Sequence, residues 1–235
     1  MTISADSVRT GLELARELID KAIGSTGETG RRVRIMAVTK THPAEVVRMA
    51  IEAGVGMIGE NRVSEGGRKV RTLGPDAAEF HMIGPIHTGE VRQAVRDFGW
   101  IDSLDRLKIA GEIARRTVRK GEEQPGLLLE VNTSGEDSKH GFPPDAALLE
   151  DVLGGIEEMG LEISGFLTIG PLGESDTRIR KAFAKLRHLR DALERSCGLT
   201  LPELSMGMSD DFPLAVMEGA TIVRLGRFLF GPRSR

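Results

Sequence analysis

The chain has 235 residues, 40% of them hydrophobic and 29% charged, which suits one globular domain with a sizeable core and excludes a disordered chain. A formal net charge of -3 and a pI near 6.0 give no global attraction to nucleic acid or to an anionic membrane, so neither is expected as a partner. The single cysteine, Cys197, excludes an internal disulfide; with no long apolar run and with Asp6 and Glu13 in the opening stretch, an untargeted cytoplasmic protein is expected.

From the N-terminus, Val8, Leu12, Ala15, Ile19 and Ala22 recur at spacings of three and four, with Leu18 and Ile23 beside them, and predict an amphipathic helix that stops near Gly24. Its single apolar face implies that it packs on the rest of the domain. Val33-Arg34-Ile35-Met36-Ala37-Val38 reads as a short strand, and after Pro43 a helix follows through Val46, Val47, Ala50 and Ile51 to Gly54. The same unit recurs. Residues 56–59 precede a helix through Val63 and Val70, residues 81–84 one through Val91, and Trp100-Ile101 one through Leu107 and Ile113. Further strands are predicted at residues 127–131, 163–167, 203–205 and 221–225, with helical patterns between them.

Eight apolar strands alternating with amphipathic helices imply a parallel sheet covered on its outside, and eight such units in about 200 to 250 residues is the size of a closed (β/α)8 barrel of the TIM type. An open doubly wound sheet is the alternative. It would normally carry a glycine-rich loop after its first strand, whereas Thr39-Lys40-Thr41-His42-Pro43 holds no glycine. No linker or composition shift divides the chain, so residues 1–235 are assigned to a single α/β barrel domain with an N-terminal amphipathic helix.

Function in such barrels sits at the C-terminal ends of the strands, which singles out Lys40, two residues past the first strand. After strand seven, Ser205-Met206-Gly207-Met208-Ser209-Asp210-Asp211 offers a glycine for close backbone approach and, in Ser209, a candidate helix cap. After strand eight, Arg224-Leu225-Gly226 adds a cation and a second glycine, and these two loops are where barrels commonly hold phosphate. Taken singly, each has an ordinary reading as a solvated rim lysine or a turn with a capped helix. Together they suit a phosphate-bearing aldehyde, because an amine condenses with a carbonyl only when unprotonated, and partial desolvation near a cation favours that form.

Other candidates point elsewhere. His42, His81, His87, His140 and His188 have no metal-ligand spacing, and no metal is expected. Asp210 and Asp211 read as helix caps before they read as an acid-base pair. Lys139, after strand five, is either a solvated loop lysine or a second aldehyde acceptor.

Ala37-Val38-Thr39-Lys40-Thr41-His42-Pro43, Gly59-Glu60-Asn61, His81-Met82-Ile83-Gly84-Pro85, Val131-Asn132-Thr133-Ser134 with Lys139 and Gly141, residues 204–211 and residues 223–231 stand in the order and spacing of one family. From about residue 8 onward the chain resembles the pyridoxal phosphate (PLP) homeostasis proteins, which are similar to the N-terminal barrel domain of alanine racemase, PLP fold type III. The resemblance implies PLP, the vitamin B6 cofactor, held as a Schiff base on Lys40, with Ser205, Met206, Gly207 and Gly226 around the phosphate, Arg224 facing the pyridine nitrogen and Asn61 lining the pocket. An arginine there keeps the nitrogen unprotonated and makes the ring a weaker electron sink. The chain departs from the family at His87, Thr88, Gly89 and Glu90, where a Gln-x-Asn-Lys pattern is usual, so the roles of those family positions do not carry over.

Three functions compete. The resemblance implies a carrier that stores and buffers PLP and delivers it to PLP-dependent apoenzymes. A low-activity amino-acid racemase is the alternative, and a Schiff-base aldolase acting on a phosphorylated sugar is the third. Alanine racemase uses a tyrosine from its partner subunit as second base, and this sequence contains no tyrosine. It also ends at Arg235, soon after strand eight, so no closing β domain is expected. The expectation is a monomeric PLP carrier without catalytic residues.

Overall fold

A computed structural model describes residues 3–28 and 30–232. The chain opens with α1 (Ala5–Ser25), whose buried positions Val8, Leu12, Ala15, Ile19, Ala22 and Ile23 form the predicted apolar stripe. Ser4 and Ser7 exchange side-chain and backbone hydrogen bonds at 3.0 and 3.1 Å and satisfy the first amides of the helix. Its apolar face packs against α2 (Ala44–Glu52), α8 (Phe212–Met217) and α9 (Arg227–Phe230), which closes the outer layer where the chain starts and finishes.

The strands are β1 (Arg34–Val38), β2 (Met57–Glu60), β3 (Glu79–Met82), β4 (Trp100–Leu104), β5 (Gly126–Glu130), β6 (Gly165–Leu167), β7 (Glu203–Met208) and β8 (Ile222–Leu225). They pair in sequence order, all parallel, and β8 returns to β1 with Met36 opposite Arg224, so the sheet is a closed barrel. The remaining helices, α3 (Val63–Leu73), α4 (Val91–Asp97), α5 (Leu107–Lys120), α6 (Ala146–Glu158) and α7 (Asp176–Cys197), fill the connections. Both α5 and α7 stop at a left-handed glycine, Gly121 (φ 69°) and Gly198 (φ 68°), a conformation that a Cβ would disfavour.

Strand alternation sorts the core into two parts. Ala37, Ile58, Phe80, Met82, Ile101, Phe166, Leu204, Val223 and Leu225 face the helices and join one large apolar cluster. Inside the barrel Met36, Met57 and Ile222 form a small cluster with Ile83 packed against them, and Leu128 and Leu167 lie on the same inward phase of their strands. The inward positions also include Arg34, His81, Asp102, Glu130, Ser205 and Arg224, so the interior mixes apolar and charged side chains. At its lower end Arg34 pairs with Glu203 at 2.6 Å and with Glu79 at 3.7 Å.

Strand edges differ from the sequence expectation where polar or glycine residues continue a ladder. β3 starts at Glu79, whose amide donates to Gly56 O at 2.9 Å, although its exposed carboxylate reads as loop. β7 runs on through Gly207 to Met208: Gly207 adopts φ 90° and the register to β8 shifts between Ser205 and Met208. There the glycine bends the strand instead of ending it. Among the described residues no helix is long and apolar enough to cross a membrane.

Candidate functional site

The C-terminal ends of the strands open onto a cavity of about 550 Å³. Lys40 lies on its wall, half-buried, two residues beyond β1 and between Val38 and His42. Asn61 directly follows β2, Ile83 directly follows β3, and Leu167 ends β6, so each contributes by its place at a strand end. The loop from β6 to α7, residues 169–174, forms the far side, while residues 208–211 after β7 and Gly226 and Arg227 after β8 form the third.

Arg224 is the buried charge of this site, only 4% exposed. Its Nη1 donates to the Ser205 carbonyl at 2.6 Å and to Ser205 Oγ at 2.9 Å, and its Nη2 donates to the Thr168 carbonyl at 2.7 Å. Bonds to two neighbouring strands hold the guanidinium in one orientation at the cavity. Burial draws its pKa down, and Asp102, Asp211 and Glu130 oppose that. The same burial pushes the Glu130 carboxyl up to about 7, with Asp105 adding to the rise and Arg224 working against it. Asp211 is also raised by burial, against the Met208 amide and Arg224.

Below Arg224, Asp102 and His81 are both fully buried and meet at 2.9 Å, and the imidazole stacks on Trp100 with ring centroids 5.2 Å apart. Burial disfavours the imidazolium, but Asp102 and Glu79 outweigh it and the net shift is upward. His81 thus belongs to the polar interior of the barrel. Among the described residues no three His, Cys, Asp or Glu side chains are placed to hold a metal ion.

Of the residues singled out in the sequence, Lys40, Asn61, Arg224 and Gly226 come together on the cavity wall, whereas Ser205, Met206 and Gly207 do not reach it. Ser205 is spent on Arg224, and Met206 faces the helices in phase with Leu204. A Cβ on Gly207 would lie 2.6 Å from Ala215 Cβ and 2.9 Å from Phe212 Cα, so this glycine serves the approach of α8. Ser209 does not cap α8. Its Oγ accepts from the Phe228 amide at 3.1 Å and ties the loop after β7 to α9, while Asp211, at the start of α8, turns back to accept the Met208 amide at 2.6 Å.

This cavity sits on a fold that is matched over residues 23–234 by the family described as the N-terminal domain of alanine racemase. The pyridoxal phosphate homeostasis protein of Aquifex aeolicus is 40% identical over 219 residues, which cover 92% of this chain and 94% of that protein. The chain belongs to the pyridoxal phosphate homeostasis protein family. The homeostasis protein of Pseudomonas aeruginosa is 38% identical over 217 residues, covering 92% of this chain and 91% of that one. Among solved structures, PipY of Synechococcus elongatus with PLP bound is 34% identical, with a TM-score of 0.77 over 91% of this chain and 100% of that one.

In this family member the departure at residues 87–90 makes a helix start: the His87 amide donates to Glu90 Oε2 at 3.0 Å, and the 3-10 turn Thr88–Glu90 leads into α4. Lys139 is neither solvated nor on the cavity wall. Its Nζ donates to Glu136 Oε1 and to the Gly170 carbonyl, both at 2.7 Å, and so braces the cavity rim from the β5 side. Ile83, Leu167 and residues 169–174 line the cavity with no role assigned to them in the sequence, as does His42, which enters there only as a candidate metal ligand; the signal that finds Ile83 and Leu167 is their place at the ends of β3 and β6.

Asn61 is held by its neighbour across the barrel rim. A Cβ at Gly84 would lie 2.3 Å from the Asn61 carbonyl oxygen and 2.9 Å from its Cα, and Ser103 Oγ anchors the Gly84 carbonyl at 2.5 Å. Gly84→Ala is therefore expected to push Asn61 off its position and to cost about 1–3 kcal/mol of stability. Urea denaturation and a crystal structure of the variant check both parts; an unmoved Asn61 contradicts the close approach.

Proposed function

We propose that the protein is a carrier that stores and buffers PLP and delivers it to PLP-dependent apoenzymes, holding it as a Schiff base on Lys40. One observation carries this reading: Lys40, Arg224 and the loops after β7 and β8 share a single cavity of about 550 Å³. The donor set suits the group. Lys40 supplies an amine, Val38, Ile83 and Leu167 supply apolar walls for a ring, and the turns at residues 208–211 and 226–227 lie where barrels place a phosphate. PLP brings an aldehyde and an electron-withdrawing ring.

The chain's own groups set what that ring is used for. Lys40 condenses only after giving up a proton; one C=N bond then replaces one C=O bond and water leaves. The fixed charge of Arg224 disfavours a proton on a ring nitrogen that faces it, so electron withdrawal stays weak and storage is favoured over carbanion chemistry. The alternative, a low-activity racemase, would need a second proton carrier facing Lys40, and no tyrosine exists to serve as one. On this reading the working unit is a cytoplasmic monomer whose partners are PLP and the apoenzymes that receive it.

Lys40→Ala is expected to abolish the visible absorbance of lysine-bound PLP completely, and borohydride reduction of wild-type holo-protein should fix the added mass on the peptide that carries Lys40. Retention of the band by the variant, or mass fixed on another lysine, sinks the assignment. Delivery is checked by activating an apoenzyme in the presence of a scavenger of free PLP. Activation that survives the scavenger supports handover, and its loss removes delivery from the proposal.

A further inference from the structure

We propose that Lys69, clamped between Glu60 and Glu65, is a positioning residue that fixes Lys40 at the cavity wall. The inference rests on the reading of Lys40 as the PLP-holding lysine. Glu60 ends β2 and faces outward, opposite in phase to Asn61, while Glu65 and Lys69 stand four apart on one face of α3. Lys69 is 5% exposed, and each of its three ammonium protons has an acceptor: the Thr39 carbonyl at 2.7 Å, Glu60 Oε1 at 2.7 Å and Glu65 Oε1 at 2.9 Å. Glu65 Oε1 also accepts the Thr41 amide at 2.6 Å, and Thr39 Oγ1 donates to Glu60 Oε1. The backbone on both sides of Lys40 is thereby tied to one buried ionic cluster.

The segment needs tying. Thr41 has φ 69°, and among the described residues it is the one non-glycine with positive φ. A β-branched residue holds that conformation only where its surroundings enforce it. The His42 amide closes the turn on the Thr39 carbonyl at 3.0 Å, so that carbonyl serves both the turn and Lys69. α3 comes close enough because residue 66 is glycine: a Cβ there would lie 2.8 Å from Glu60 Cβ and 2.5 Å from the Phe98 ring. Gly66 lowers the helix propensity of α3, and the close approach to Glu60 is what its small size admits. If the cluster only docked α3 on β2, the Glu60–Lys69 pair would suffice; the contacts to Thr39 and Thr41 are the ones that reach Lys40.

The test uses the full chain titrated with PLP. Occupancy is read from lysine-bound absorbance and from borohydride-fixed mass on Lys40, and folding is read separately from the urea midpoint. Lys69→Met and Glu65→Ala are each expected to weaken capture at Lys40 by about tenfold, the equivalent of releasing one strained residue. Adding Thr41→Gly to either variant should restore most of the affinity, because glycine adopts positive φ without strain. Unchanged affinity in both variants, or weakened affinity that Thr41→Gly does not rescue, overturns the positioning role. Should Lys69→Met not fold, Glu65→Ala decides alone, since that side chain is 18% exposed and its loss leaves the Lys69–Glu60 pair in place. A wild type that is not trapped at Lys40 refutes the reading of Lys40 itself; a wild type trapped there with insensitive variants refutes only the role of Lys69.

Discussion

Arg224→Met is expected to cost about 3–5 kcal/mol of folding stability, because it leaves buried anions without their counter-charge while roughly keeping the volume. Asp102, Glu130 and Asp211 all act on this one guanidinium. Asp102 is fully buried and, among the described residues, keeps His81 as its hydrogen-bond partner, while the Thr168 and Ser205 carbonyls lose the Arg224 donors. Urea denaturation of the cofactor-free protein gives the number. The loss should be smaller near pH 5, where Glu130 holds a proton, than near pH 8, where it does not. The double variant with Glu130→Gln should lose less than the sum of the single effects, since the two charges act on each other electrostatically. A loss below about 1 kcal/mol at pH 8 would mean that water, not Arg224, compensates these carboxylates.

Glu130→Gln is expected to have the opposite sign. The Glu130 carboxyl stands at about 7 in the folded chain against an ordinary 4.5, raised first by burial and then by Asp105. Below pH 4.5 it is protonated folded and unfolded, and no penalty arises. Between 4.5 and 7 the unfolded chain releases the proton while the folded chain retains it, so stability falls as pH rises; above 7 the penalty stays constant at about 3 kcal/mol. Glutamine removes the titration. The variant should therefore match the wild type near pH 4 and exceed it by up to about 3 kcal/mol at pH 8. A stability difference that does not change with pH would remove Glu130 as the titrating group.

Part of the cavity wall is legible in the sequence. Near-continuous apolar runs alternating with amphipathic helical patterns point to the barrel, Lys40 and Gly226 lie just beyond strand ends, Arg224 lies in the last strand, and Asn61 is implied by the resemblance. The resemblance implies Ser205, Met206 and Gly207 around a phosphate, whereas in the fold Gly207 continues β7 with φ 90°. The wall consequently begins at Met208. Lys139 reads in the sequence as a solvated loop lysine or a second aldehyde acceptor; Glu136 stands three residues away in the same connection, but the Gly170 carbonyl lies in another and leaves no local signal. Glu60 has no role legible in Gly59-Glu60-Asn61, since nothing in that run says that Glu60 points to α3 while Asn61 points to the cavity.

The sequence by itself determined the alternation of elements, their number of eight and the lysine at the end of the first strand, because these depend on hydrophobic period and on position along the chain, whereas closure rests on the pairing of β8 with β1. Only the tertiary structure decided which charges compensate one another. Lys69 reaches Thr39 across 30 residues and Arg224 reaches Thr168 across 56, and such pairings arise when the barrel brings distant strand ends together in a dry interior. There each donor must find an acceptor, and the fold's geometry, not local propensity, selects it. Lys40 is a residue the sequence could name, and its bracing by Thr39, Thr41, Glu65 and Lys69 is a property of the folded chain alone.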